Sequence, residues 1–333
     1  MAGSSGTKAS QRRSNASRQS REAHWIQLAV VGVLALVGLI VVVGLVVAWY
    51  LPPRAHVLTV GSRDFNAAQV ADRGYYLALM GNGNAVSQPA PEGIRSLVRQ
   101  EVLLQAGSTL VDGVTDQDVR DEIATLLSLP EDYTDEAYAS GLASYLRVAP
   151  IDRSGLEDLT RAGIIEDRLA AQFRDDLPEA GDQMNVLAVQ TNDRALAQQL
   201  VDAVRGGQDF REAALEVGVV EDDESIFELG WTTVETLAER VQPALEPLQA
   251  GDVSDPVDDA NSVGYEVYYV AERTVDQPYE DEVRDRLADR ALADFLEDQE
   301  AAIGVEEDLS ASKRRWITQR VQDDIRERQA SSG

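Results

Sequence analysis

Three patterns of apolar residues divide the chain. From Leu28 to Tyr50 the apolar positions are continuous and carry no charge. At roughly 1.5 Å per residue a helix over this run crosses a hydrocarbon core of about 30 Å. Trp25 stands at one end and Trp49 with Tyr50 at the other, where amphipathic rings favour the headgroup level. Pro52-Pro53 then stops the helix. The other reading of such a run is a cleaved signal peptide, but it is too long for one and no small-x-small site follows. The expectation is a transmembrane helix over residues 25–51, preceded by a basic, Ser- and Gly-rich tail over 1–24 with the composition of a disordered segment.

Beyond it the period changes to that of surface helices. Residues 54–61 suggest a short strand ending in a glycine turn. Ile94, Leu97, Val98 and Val102 then recur at helical spacing. Thr115 and Asp118 form a capping-box pattern ahead of Val119, Ile123 and Leu126. Two more helices are predicted over Ala137–Leu146 and Leu156–Phe173, with Pro130 and Pro150 as breakers.

Near Asp182 a third pattern begins, in which strands and helices mix. Met184 to Val189 predicts a strand, Arg194 to Arg205 a helix ended by Gly206-Gly207, and Phe210 to Val217 a second helix. Gly264 to Val270 is rich in tyrosine and valine and predicts a strand. Helices follow from about Tyr279 to Glu300 and Lys313 to Arg326. The first presents Val283, Leu287, Leu292, Phe295 and Leu296, a face that needs a partner. The fold class expected is α+β: a helical lobe over 55–180, a small α+β domain over 183–274 inserted into it, and C-terminal helices over 278–330 that return to pack on the lobe.

Charge sets the topology of this arrangement. Residues 1–50 hold Lys8, Arg12, Arg13, Arg18 and Arg21 against Glu22 alone, while the whole chain has a formal charge of −28. By the positive-inside rule the N-terminus is cytoplasmic and the main domain extracytoplasmic. So acidic a surface repels nucleic acid, whose binding depends on neutralising phosphates. It reads as a solubility coat. The clusters Glu221 to Glu224 and Asp258-Asp259 lack the alternating ligands and glycine of a calcium loop. There is no cysteine, which removes disulfides and thiolate metal sites. The two histidines, His24 and His56, flank the apolar run, which removes histidine triads and most zinc chemistry from the distal domain. No metal or cofactor is expected.

Residues 184–274 carry a series of motifs in order: MNVLAVQTNDRALAQQL, GGQDFREAA, Leu229-Gly230-Trp231, AGDVSDPV from Ala250 to Val257, and GYEVYYV from Gly264 to Val270. Together they resemble the parvulin-type peptidyl-prolyl isomerase domain. The flanks HVLTVGSRDF, LVRQEVLLQAGSTLVDGVTDQDVRDEI and YEDEVRDRLADRALADFLED are similar to the helical parts of SurA-like and PrsA-like foldases. The single N-terminal anchor resembles the PpiD-type members. The resemblance covers most of residues 55–300.

It also implies where a site would lie. Val186 stands where active parvulins usually have a histidine, and Glu266 where the closing strand has a second one. Leu237 and Val241 match the methionine and phenylalanine that receive the proline ring, and Glu246 replaces a later pocket phenylalanine. Asp222 or Asp223 stands where the family has an acidic or cysteine side chain, and Trp231 is a further candidate substrate contact. Each has a plainer reading: Trp231 as a core aromatic, Glu266 as an outward solvated residue, Leu237 and Val241 as helix core, Asp222 and Asp223 as solvated loop charges.

Uncatalysed prolyl isomerisation crosses a barrier of roughly 18–20 kcal/mol and breaks no bond. A site needs an apolar pocket and fixed dipoles that favour the twisted amide. The resemblance therefore implies a membrane-anchored foldase that handles unfolded or nascent exported proteins, with weak or absent isomerase activity. The alternatives are an active isomerase and a non-catalytic assembly module beside a secretion channel.

Overall fold

The computed structural model describes residues 51–259 and 264–332. The apolar run from Leu28 and the basic tail lie outside the described residues. Among those described, no helix is long and apolar enough to cross a membrane.

The described residues open with a helical turn, α1 (Leu51–Arg54), then strands β1 (His56–Val60) and β2 (Arg63–Asn66) and helices α2 (Ala67–Leu79), α3 (Gly83–Ser87) and α4 (Pro89–Gln105). Helices α5 (Asp116–Leu126), α6 (Asp135–Leu146) and α7 (Arg153–Asp176) follow. Next come β3 (Ala180–Thr191), α8 (Arg194–Arg205), α9 (Phe210–Val217), β4 (Phe227–Thr232), α10 (Gln242–Leu245), β5 (Val257–Asp258) and β6 (Tyr265–Pro278). The chain closes with α11 (Asp281–Ile303), β7 (Val305–Glu307) and α12 (Ala311–Ser332). The protein is thus a mixed α+β fold with two small antiparallel sheets. It divides into two compact units: residues up to Val98 with 146–151 and those from Gly304 onward, and residues 99–145 with 152–303.

In the first unit, β1 is the middle strand of the order β2-β1-β7. Gly61 turns the β1–β2 hairpin at φ 58°, a conformation that glycine adopts without cost. Val60 pairs with Val305, and the Asp308 amide donates to the Val57 carbonyl at 2.8 Å. Asn66 caps α2 in a full capping box with Gln69, satisfying two of the amides a helix start leaves bare. Two glycines let α2 and α4 cross closely: a Cβ on Gly74 would stand 2.5 Å from the Pro89 carbonyl oxygen, and one on Gly93 2.5 Å from that of Val70. α12 packs on α2 through the fully buried Ile317 and Val321.

In the second unit, α11 packs along α7, with Phe173 and Phe295 in contact at 6.0 Å. Arg174 pairs with Asp281 and Asp285, and Arg284 donates to the carbonyls of Arg174 and Pro178. The Thr115–Asp118 capping box is formed, and Arg168 holds Asp118 at 3.0 Å. The Thr115 amide, which donates to Asp118 at 2.9 Å, and that guanidinium keep the Asp118 carboxyl below the usual range, against the opposing effect of burial.

The second sheet has the order β4-β3-β6-β5. Its central pair is long, running from Ala180 opposite Pro278 to Thr191 opposite Tyr265. Side chains alternate between two faces. One face carries Val189 and Val267 and packs against Leu200, Val201 and Val204 of α8 and Phe210, Ala213 and Ala214 of α9. The other carries Met184, Val186, Ala188, Tyr268 and Val270 and packs against Val241 and Leu245.

Candidate functional site

The second face brings several of the expected site residues together. Val186 lies in the middle strand opposite Val270, with no exposure to solvent. Val241 is packed into the same cluster at 3% exposure, and Leu237 borders it half-buried. The segment over them is pinned by its own polar groups. Thr236 donates to the Thr233 carbonyl at 3.0 Å and lies 3.0 Å from the hydroxyl of the fully buried Thr232. Gln242 donates to the Leu237 carbonyl at 2.9 Å. Arg273 forks from the sheet to the carbonyls of Glu246 and Leu248 while its other nitrogens hold Asp182.

Glu266 is neither solvated nor pointed outward. It lies two residues from Tyr268 and shares its face, with its side chain only 20% exposed. The Tyr268 hydroxyl donates to its Oε2 at 2.5 Å, and Arg240 Nη1 approaches the same oxygen at 2.8 Å. Arg240 also donates to the Asp258 carbonyl at 3.0 Å. Burial, then the hydrogen bond and charge of Glu266, push the Tyr268 phenol well above its ordinary value, so it stays a donor throughout the physiological range. The hydrogen bond that Arg240 donates to Glu266 likewise raises the guanidinium above its ordinary value. Beside this cluster, Phe227 of β4 aligns with Ala188 and leaves 58% of its surface to solvent.

The remaining candidates fall elsewhere. Trp231 pairs with Asn185, one residue out of phase with Val186, and so belongs to the opposite side of the sheet. Asp222 caps a short turn, accepting from the Ser225 amide at 3.0 Å and hydroxyl at 2.7 Å. Asp223 pairs with Arg211 of α9 at 2.9 Å, and the same guanidinium holds Glu228. Glu228 aligns with Leu187, which packs on the α8–α9 side, so this ion-pair group lies away from Val186. Glu246 is exposed, and its neighbour Leu245 is the fully buried member of the cluster.

Three participants escaped the sequence: Tyr268, Arg240 and Leu245. Tyr268 follows Glu266 by two on a strand, and Leu245 stands four positions after Val241, the residue that precedes α10, so ordinary periodicity pointed to both. Arg240 carried no such signal, because its partner is distant in sequence.

The face can offer an apolar surface at Leu237 and Phe227 with a fixed, charge-assisted donor set beside it. Its floor, Val186 and Val241, is filled by the protein's own packing.

No family model and no curated protein matches the sequence. Solved structures do. The chain is similar to the peptidylprolyl isomerase PrsA of Bacillus anthracis, at 15% identity and a TM-score of 0.35, covering 69% of this chain and 96% of that one. PrsA of Bacillus cereus matches at 14% identity and a TM-score of 0.36, over 81% of this chain and 99% of that one. A SurA-like chaperone of Campylobacter jejuni matches at 13% identity and a TM-score of 0.26, over 77% and 100%. PrsA-type foldases and SurA-like chaperones are thus among the solved structures to which the chain is similar.

Proposed function

We propose that this protein is a membrane-anchored, extracytoplasmic foldase that holds unfolded exported chains. Its parvulin-like domain engages proline-containing segments but isomerises them weakly. One observation carries the reading. Val186, Leu237, Val241 and Glu266, which the motif order assigns to a proline site, converge on one face of an antiparallel sheet. The weakness has a physical cause. Val186 and Val241 are closed to solvent, so a proline ring gains only the margin at Leu237, and no histidine network stands behind it.

The anchor rests on the charge-free run from Leu28 and the basic residues before it. Client holding rests on the helical parts, which expose Met80 and Val86 in the first unit and Leu110 and Leu126 in the second. The Arg240–Glu266–Tyr268 cluster favours a second reading, an active isomerase that uses fixed dipoles in place of histidines.

The test is catalysed exchange of an Xaa-Pro peptide, followed by NMR, with the exported part beside a typical parvulin. The expected result is little acceleration together with suppression of client aggregation at near-stoichiometric ratios. Leu237→Asp should abolish what acceleration remains, because an unpaired charge at an apolar margin excludes the ring. Robust catalysis by the unmodified protein would overturn the weak-site reading in favour of the second.

A further inference from the structure

In the first unit the start of α12 combines three features that no part of the foldase reading uses. Leu309 to Gln322 carries Lys313, Arg314, Arg315 and Arg320 and no acidic residue, within a chain of charge −28. Lys313 is satisfied by Asp308 at 2.7 Å and Arg320 by Asp324 at 3.2 Å. Arg314 and Arg315 are exposed and have no acidic partner among the described residues, although most arginines of the second unit have one. They line a shallow hollow with Leu309, Ala311, Thr318 and Gln319. The nearest acidic residues on the preceding strand, Glu306 and Glu307, are exposed but lie before Asp308 in β7.

Position adds the rest. The Asp308 amide bonds the Val57 carbonyl, so the first turn of α12 starts beside β1. β1 begins at His56, six positions after the apolar run ends at Tyr50. Those residues span at most roughly 20 Å, and α1 shortens the path further.

We propose that the hollow at the start of α12 docks on the anionic phospholipid surface beside the chain's own anchor, with Arg314 and Arg315 on lipid phosphates. This rests on the membrane-anchor reading above. Two juxtamembrane arginines strengthen surface binding on the order of tenfold or more. The acidic remainder of the protein is repelled by the same surface, so contact through α12 orients the first unit. Leu309 and Ala311 suit a headgroup boundary, where apolar and charged groups meet.

The full chain in lipid nanodiscs tests this. The protein has no cysteine, so Gln319→Cys takes a single fluorophore. Quenching by a headgroup-bound spin label is compared in phosphatidylcholine discs and in equal mixtures with phosphatidylglycerol. Several-fold stronger quenching in the mixture is expected. It should be lost in R314E/R315E, kept in R314K/R315K, and weakened at about 0.5 M salt. Equal quenching in both lipids overturns the proposal. So does self-association that R314E/R315E abolishes without any lipid dependence, which would assign the arginines to a second copy's acidic surface. If the chain does not remain with phosphatidylcholine discs, the anchor reading fails instead. Retention by phosphatidylglycerol discs alone, lost in R314E/R315E, would then still support the docking surface, and no retention would overturn it.

Discussion

The two faces of the β4-β3-β6-β5 sheet share their strands but not their chemistry. The core of the α8–α9 face is apolar and closed, with Phe210 stacked on Tyr269 at 5.0 Å, and its ion pairs, Arg211 with Asp223 and Glu228, stay at the exposed edge. The opposite face has an apolar floor but a margin of half-buried Leu237, exposed Phe227 and the Arg240–Glu266–Tyr268 cluster. A face that only stabilises can be uniform, since burial scales with apolar area. A face that carries fixed polar groups at its rim gives up some of that gain in exchange for directional contacts with a ligand.

The largest effect should come from the closed face. Phe210→Ala is expected to cost about 3–5 kcal/mol in denaturant unfolding, through lost burial and the cavity left behind. Leu237→Ala should cost only about 1 kcal/mol, because the side chain is already half in solvent, and should weaken proline-peptide binding instead. Equal costs at the two positions would erase the distinction between the faces.

Next in size is Arg240→Met. It leaves the largely buried Glu266 carboxylate with the phenol alone and should cost about 1–2 kcal/mol. Replacing both Arg240 and Glu266 by Met should recover much of the loss, because neither charge is then stranded. No recovery would mean that Arg240 matters through other contacts, such as the Asp258 carbonyl.

Tyr268→Phe should cost about 1 kcal/mol. Ultraviolet titration should also show that the variant has lost one of the phenols that resist ionisation near pH 10, the others being Tyr138 and Tyr279. A raised pKa in the folded state contributes stability below the ordinary tyrosine value of about 10 that is lost as pH climbs past it. The variant's stability should therefore fall less steeply in strong alkali.

The smallest effect concerns Asp182. Hydrogen bonds from Arg273 hold its carboxyl below the usual range against a smaller opposing effect of burial. A depressed carboxylate contributes stability above its unfolded value of about 4, and the contribution is lost as pH falls through the folded value. Asp182→Asn should flatten stability below about pH 4 while costing only about 0.5 kcal/mol at neutrality, since the side chain is 47% exposed. An unchanged acid limb would show that the Asp182–Arg273 pair does not contribute to stability through the ionisation of Asp182.

Periodicity made α4 to α9, α11, α12 and the two central strands legible, but not α2, α3 or α10. α8 ends at the glycine pair, and Thr115 and Asp118 form the box that their spacing indicates. The strands are longer than their apolar cores suggest. Gly181, Asp182 and Gln183 continue β3 opposite Thr274 to Pro278, and these polar residues mask the extension. What holds it is Gln183 donating to the Gln277 carbonyl at 2.7 Å and Arg273 on Asp182, pairings remote in sequence. Leu229-Gly230-Trp231 lies within β4, where Gly230 at φ 69° sits beside a register shift between Val186 and Leu187. At the site, the apolar members Val186, Leu237 and Val241 were recoverable because motif order fixes their strand and segment. The carboxylates Asp222 and Asp223 were not, because a loop acid's partner, here Ser225 or Arg211, decides its role.

The pairing of β1 with β7, and of α2 with α12, has a consequence for the order of assembly. A chain made from its N-terminus presents His56 to Val60 early, yet the strand and helix that cover them arrive only after Val305. Tyr75 meets the Asp324 carbonyl across a sequence separation of 249. Contacts that distant close slowly. The first unit therefore stays an incomplete half until the segments after Val305 are made.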